Sequence, residues 1–422
     1  TPRPVMERTL DQWLQYQLQI HPQAIAMGLD RVREVAARMR LLQMPCPVIS
    51  VAGTNGKGST VAFIEAIAKA SGLKTGAFTS PHFLRYNERI RIDGRDVDDD
   101  VLVLAFDAIE SARAEIPLTY FEFGTLAALH LFAGSGLDLA ILEVGLGGRL
   151  DAVNILDADV AVITTVDLDH QAYLGDTREK IGFEKAGIMR PGRPCILGEN
   201  DPPSSVLRHA YENGVYCIRA GSDYLIDRDD RQWVWREPGF SLELPYPALL
   251  APAQVQNAAC AIAALRATTL EIPDSAWAEG VTAARITGRL QRWQDRPEVV
   301  LDVAHNPQSV DQLALWLKQH PKPTVAVFSA LKDKDLSAMV HQIEPFITHW
   351  HIGGLQQPAD RVMSMAEMAG NFSRLLPESG YSLHADVAGA YDAALAACPA
   401  SGRILVFGSF HTLEAVMRHT MA

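Results

Sequence analysis

The chain has 422 residues, a length that suits two or three domains. Hydrophobic residues make up 48% and charged residues 21%, which excludes a low-hydrophobicity disordered chain. Lys and Arg number 38 against 50 Asp and Glu, and the net charge of −12 argues against a nucleic-acid partner while leaving room for a local basic pocket that takes a small anion.

In chain order, Thr1-Pro-Arg-Pro has neither an initiator Met nor an apolar signal core and reads as a trimmed end rather than a targeting peptide. Leu29, Val32, Val35, Ala36 and Met39 recur at helical spacing, with Asp30 early, and predict a helix packed on the first domain. From Val48 onward short apolar runs alternate with helical patterns, the mark of an α/β protein. Runs 48–52, 139–144 and 160–166 are short, β-branched and bounded by Gly or Asp, and predict buried central strands of one mostly parallel sheet. Within 225–244, Trp233, Trp235 and Phe240 around a Pro238-Gly239 turn predict a small antiparallel piece. Residues 244–265 carry no charge, yet Pro245, Pro247, Pro252 and Asn257 argue against a membrane span. Runs 299–303, 324–328 and 403–407 predict a second, smaller α/β unit. The domains expected are 1–287 and 288–422, with the hinge at 286–297. Cys46, Cys195, Cys217, Cys260 and Cys398 are odd in number and lack Cys-x-x-Cys spacing, which fits a reducing cytoplasm. Without heptads or an obvious apolar interface, a monomer is expected.

Gly53-Thr54-Asn55-Gly56-Lys57-Gly58-Ser59-Thr60 follows an apolar strand and precedes a helical pattern, the context of a phosphate cradle. Backbone N–H groups and the helix start face the anion, Lys57 reaches the terminal phosphates, and Ser59 or Thr60 holds Mg²⁺. The match to the Walker pattern is imperfect: Val51 stands where its first Gly belongs, and Gly58 separates Lys57 from Ser59.

Glu143 falls at the C-terminal end of a predicted buried strand, the edge where open parallel sheets bind ligands. Such a carboxylate needs a cation, which is either a phosphate-bound Mg²⁺ or a nearby Arg such as Arg149. His170, in Asp167-Leu-Asp169-His170, is a metal ligand or an ordinary hydrogen-bonded loop residue. Lys185 sits on a predicted helix closed by Gly187 and by itself reads as a surface Lys.

With these residues assembled, the chain resembles the folylpolyglutamate synthase and dihydrofolate synthase family of the Mur ligase superfamily. The resemblance spans nearly the whole chain through the motifs at 53–60, Thr-Ser-Pro-His (79–82), Glu-Val-Gly-Leu-Gly-Gly-Arg-Leu-Asp (143–151), Asp-His (169–170), Glu-Lys-Ala-Gly-Ile (184–188), Leu-Asp-Val-Ala-His-Asn-Pro (301–307) and Phe-Gly-Ser-Phe-His-Thr (407–412). It implies a P-loop NTPase-like first domain and a Rossmann-like second. The activity implied is ATP-dependent joining of L-glutamate to dihydropteroate and to reduced folates through an acyl phosphate.

By that resemblance Ser80 and Glu143 hold a first Mg²⁺, and His170 helps hold a second. Lys185 matches the lysine that the family carbamylates, and a carbamate supplies an anionic oxygen ligand. Asn257 matches an adenine contact, with a helix cap as the alternative; Arg289 and Asp302 match nucleotide contacts. His305 and Ser409 lie where the incoming glutamate is expected. Thr119-Tyr120-Phe121-Glu122 matches a pterin-side segment in which Phe121 stacks on a flat ring or is a core aromatic. Ile25-Ala26-Met27 and Leu150-Asp151-Ala152 match the pteroate site, although Ala26 stands where an Asp is expected and Val153 where a Thr or Ser is. A peptidoglycan-type Mur ligase and a nucleotide-binding switch are the competing readings. The first normally needs a whole domain ahead of the phosphate loop, and the second has no use for Lys185 or His305.

Overall fold

The computed structural model describes residues 8–21, 25–356 and 361–422, and Thr1-Pro-Arg-Pro lies outside them. Two compact units divide the chain. The first takes in the described residues up to Val166 together with Gln171–Ala248 and Val255–Ala284. The second takes in Arg285–Ala422 and two short segments from far earlier in the chain, Asp167–His170 and Leu249–Gln254.

The first unit is built on an eight-stranded sheet in the order Arg95–Asp96, Ile90–Ile92, Thr75–Phe78, Leu139–Glu143, Val48–Ala52, Val160–Ile163, Pro194–Leu197, Tyr216–Arg219. The six strands from Thr75–Phe78 onward are parallel, and the first two fold back antiparallel. The three runs expected at the centre are neighbours there and are buried throughout, as strands covered on both faces must be. The strand expected over 160–166 stops at Ile163; beyond it the Thr164 hydroxyl donates to the Asn55 carbonyl of the phosphate loop.

Helix Asp30–Arg38 buries Val32, Val35 and Ala36 in the same core as Leu102, Phe106 and Trp13, which places the predicted N-terminal helix in this unit's core. Leu225–Arg228, Trp233–Glu237 and Phe240–Leu244 form the expected antiparallel sheet, anchored by the Trp235 indole N–H donating to the Ala259 carbonyl at 3.1 Å. The uncharged stretch before Arg266 is a loop followed by helix Gln254–Arg266, and among the described residues no helix is long and apolar enough to cross a membrane.

The second unit carries a six-stranded sheet in the order Gln291–Asp295, Glu298–Leu301, Arg403–Phe407, Thr324–Phe328, His349–Gly353, Tyr381–His384. All its pairings are parallel except the first. Its core gathers Val310, Leu313 and Trp316 from one helix with Phe328, Trp350 and Phe407 from the strands.

Candidate active site

In the first unit the C-terminal ends of four adjacent parallel strands present the expected residues at one sheet edge. Val48–Ala52 runs into the glycine loop, and helix Lys57–Ala70 begins at Lys57 behind Gly56. Gly56 has φ +87°, a left-handed conformation that only glycine adopts freely. A Cβ there would lie 2.6 Å from Asn257 Oδ1, so the missing side chain lets Asn257 stand against the loop. The loop is held from the next strand, with Thr54 N donating to Thr165 O at 2.9 Å and Asn55 N to Thr165 Oγ1 at 3.1 Å. Ser59 and Thr60 are buried, and the Thr60 hydroxyl has no hydrogen-bond partner.

Glu143 ends its strand in register with Val51, beside the loop, and is 5% exposed. Arg149, weighed above as its cation, instead forms a two-pronged pair with Glu184 at 3.0 and 3.1 Å. Burial presses the Arg91 guanidinium down, while Glu65, Asp96 and Glu143 outweigh it and raise it, so Glu143 lies within the field of a different arginine. Ser80 is half-buried two residues beyond strand Thr75–Phe78, the neighbour of the Glu143 strand. Lys185 is buried in the last turn of helix Arg178–Ala186.

Directly after Glu143 the chain makes a tight turn organised by Asp151. Its Oδ1 accepts from Gly145 N at 3.1 Å and Leu146 N at 2.9 Å, and its Oδ2 accepts from Val153 N at 3.1 Å. Burial pushes the Asp151 carboxyl up to about 6, against the pull of those N–H groups and of Lys57. Leu150 is half-buried and Ala152 buried on the same turn. The half-buried Phe121 packs over Gly145 and against Phe78, 5.7 Å between ring centroids. Tyr120 meets the Tyr86 ring edge-on, and the Arg89 guanidinium lies near both rings.

Thr119 and Glu122 have structural work: they form the capping box of helix Tyr120–Ala133, and Glu122 also accepts two bonds from Arg31. That pair ties the helix following Ile25, Ala26 and Met27 to the start of the Phe121 helix. Ile25 is exposed, and Ala26 and Met27 are half-buried.

In the second unit Asp302 is buried, accepting from Leu290 N at 2.9 Å and Ala304 N at 2.8 Å; it therefore fixes the residue next to Arg289. Burial raises its carboxyl, with Arg289 the leading opposing influence. Ser409 caps helix Phe410–Met421. His170 adopts φ +49°, a strained value for a residue with a Cβ.

The preceding residue, Asp169, was not among the expected site residues, yet it gathers His305, Asn306 and Lys334 around one carboxylate. Lys334 lies in Lys332-Asp333-Lys334-Asp335, a mixed-charge run that gives no local sign of burial. Among the described residues no three His, Cys, Asp or Glu side chains form a metal-holding group. The expected donors are of another kind: Glu143 with a serine hydroxyl and phosphate oxygens suit a hard cation such as Mg²⁺, and Lys185 joins them only after acquiring an oxygen ligand.

A phosphate loop at the carboxyl edge of one α/β unit, with a second parallel α/β unit after it, is the arrangement of an ATP-dependent ligase of the Mur type. Residues 51–265 match the Mur ligase middle domain and 288–410 the Mur ligase glutamate ligase domain. The Escherichia coli (strain K12) dihydrofolate synthase/folylpolyglutamate synthase is 43% identical over 413 residues, covering 97% of this chain and 94% of its own. The Haemophilus influenzae enzyme of the same name is 36% identical, with 96% of each chain covered. Among solved structures, E. coli FolC in complex with DHPP and ADP matches at TM-score 0.92 and 41% identity, covering 100% of this chain and 99% of its own. A bifunctional folylpolyglutamate synthase/dihydrofolate synthase with Mn, AMPPNP and L-glutamate bound matches at TM-score 0.91 and 40% identity, with 100% of both chains covered. The chain belongs to the dihydrofolate synthase/folylpolyglutamate synthase family of Mur ligases. The peptidoglycan-ligase and switch readings are thereby set aside.

Proposed function

We propose that this chain joins L-glutamate to 7,8-dihydropteroate, giving dihydrofolate, and to the γ-carboxylate of reduced folates, converting ATP to ADP and phosphate. One observation carries the reading: the glycine loop with Asn257, Ser80, Glu143 and the Asp151–Phe121 turn all lie at the carboxyl ends of neighbouring strands in one unit. Phosphate recognition and a flat-ring site thus share one edge.

The N–H groups of 53–60 and Lys57 hold the ATP phosphates, and Asn257 takes the adenine side. Phe121 offers a ring face to the pterin, with Asp151, Ala152 and the Ile25–Met27 segment around it. An oxygen of the acceptor carboxylate attacks the γ-phosphorus and the bond to ADP breaks, leaving an acyl phosphate. The glutamate amine, as free base, then attacks the acyl carbon; the C–O bond to phosphate breaks and the amine proton passes to solvent. His305 and Ser409 would orient the glutamate, and Arg289 and Asp302 the nucleotide. Divalent metal supplies charge neutralisation for the transferred phosphoryl group, with Ser80 and Glu143 as holders of one Mg²⁺ and His170 and carbamylated Lys185 as holders of a second. Five free cysteines support a reducing cytoplasmic setting, and the working unit proposed is the monomer.

The test is phosphate release from Mg·ATP with L-glutamate and either dihydropteroate or tetrahydrofolate, with mass detection of the product. Addition of one glutamate to both acceptors is the expected result. Release with tetrahydrofolate alone would restrict the proposal to folate extension and locate the loss at Ala26 and Val153. Silence with both would overturn it.

A further inference from the structure

We infer that Arg149 and Glu184 are positioning residues for Lys185, holding its helix end against the Glu143 turn so that a carbamate on Lys185 is fixed in place. The inference rests on the reading above that Lys185 carries a carbamate.

Lys185 is the next-to-last residue of its helix, where the final carbonyls lack intrahelical partners and ends fray. Here the end is pinned on both sides of the lysine. Before it, the Glu184 carbonyl accepts from Arg149 N at 2.8 Å, and the Glu184 carboxylate accepts from Arg149 Nε at 3.1 Å and Nη2 at 3.0 Å. After it, the Gly187 carbonyl accepts from Asn154 Nδ2 at 3.0 Å and Arg190 Nη1 at 3.1 Å. Asn154 closes the frame: its Nδ2 also donates to the Arg149 carbonyl at 3.1 Å, and its Oδ1 accepts from Arg190 at 2.9 Å.

The turn and the helix are in backbone contact. A Cβ on Gly148 would stand 2.9 Å from the Glu184 carbonyl oxygen and 3.1 Å from Lys185 Cα, so only glycine lets the two approach this closely. The turn starts directly after Glu143, so the same bonds fix the Lys185 backbone relative to the Glu143 strand.

Charge gives the pair a second task. Carbamate formation joins the Lys185 nitrogen to the carbon of CO₂, turns one C=O bond into C–O⁻, and releases the amine proton to water. The product is an anion one residue from the Glu184 carboxylate. The Arg149 fork offsets that neighbouring charge, and the Phe183 ring lies 5.4 Å from the guanidinium carbon as a further support.

The experiment is ¹³C NMR of the full-length protein in ¹³C-bicarbonate, with Lys185→Met as the assignment control, alongside steady-state kinetics. Wild type should show a carbamate signal that the control lacks. Arg149→Gln and Glu184→Gln should each lose carbamate occupancy and kcat by about tenfold at ambient CO₂, as loss of groups behind a metal ligand commonly does. High bicarbonate should restore both, and the KM for ATP should be unchanged. Arg149→Lys, which keeps the charge and loses the fork, should fall between. Should Arg149→Gln fold poorly, Glu184→Gln keeps the side-chain shape and carries the test. Wild-type occupancy together with wild-type kcat in the variants would overturn the positioning role while leaving the carbamate reading intact. A wild type without the signal would overturn both.

Discussion

Lys334 Nζ lies 2.7 Å from Asp169 Oδ1, an ion pair between residues 165 positions apart, with the two side chains only 6% and 8% exposed. The other oxygen of Asp169 accepts from Asn306 Nδ2 at 3.1 Å and faces His305 Nε2 at 3.2 Å. His305 Nδ1 in turn faces the Val303 carbonyl at 2.9 Å. Burial alone would raise the Asp169 carboxyl. The His305 hydrogen bond and charge, then Lys334 and His170, outweigh it and hold the carboxyl well below the usual carboxylate range.

Lys334→Met should therefore destabilise the second unit by about 3 kcal/mol, because it leaves a buried carboxylate with one cation fewer. A depressed carboxyl contributes its stability above the unfolded value and loses it as pH falls. The gap between wild type and variant in urea unfolding should thus hold steady at neutral pH and narrow below about pH 4. A gap that widens on acidification would show that Lys334 does not act through Asp169.

Asp302→Ala should loosen the segment carrying Arg289. The carboxylate holds Leu290 N and Ala304 N, and Val303 N donates to the Gly288 carbonyl at 2.8 Å, a set of bonds that keeps Leu290 at the left-handed φ of +45°. Removing it orphans two backbone donors at about 1 kcal/mol or more each and releases the strain. Hydrogen exchange at residues 288–290 should accelerate while the Thr324–Phe328 strand stays protected. Unchanged exchange would mean that the strand pairing alone holds the segment.

What the sequence made legible was local. Strand, glycines, Lys57 and helix are contiguous, so the phosphate loop reads directly and folds as read. The partners of charged residues did not read, because they are set by tertiary placement. Arg149 was weighed against Glu143, six residues before it, whereas the fold pairs it with Glu184, 35 residues after it. Thr119 and Glu122 stood in a pterin-side motif, and their spacing of three also fits the capping box that they form. Lys334 was invisible for the same reason: its neighbours Asp333 and Asp335 suggest a solvated run, and Asp169 is supplied from a distant segment.

Gly56→Ala should weaken nucleotide binding by about tenfold or more, a loss of at least ~1.4 kcal/mol. The variant places a Cβ 2.6 Å from Asn257 Oδ1 at φ +87°, so either the loop or the asparagine must move. Calorimetric titration with a non-hydrolysable ATP analogue and Mg²⁺ reads the effect. Binding at wild-type affinity would show that Asn257 and the loop do not act together on the nucleotide.

Asp151 should give the fold a pH dependence opposite in sign to that of Asp169. Its folded value of about 6 lies above the ordinary carboxylate value, so the fold holds the proton more tightly than the unfolded chain does. Below about pH 4 both states are protonated and nothing is lost. As pH rises from there to about 6 the buried carboxylate must ionise, which removes on the order of 3 kcal/mol, and above that the loss stays constant. Asp151→Asn cannot ionise; it keeps an oxygen for Gly145 and Leu146 but turns its amide onto Val153 N–H, a deficit independent of pH. The stability of wild type relative to this variant should therefore fall between about pH 4 and 6 and flatten above, a comparison in which the other carboxylates cancel. Urea unfolding of the pair across that range measures it. Wild type gaining on the variant with rising pH would mean that the three N–H groups and Lys57 outweigh burial, and that the turn after Glu143 is held by a resident charge.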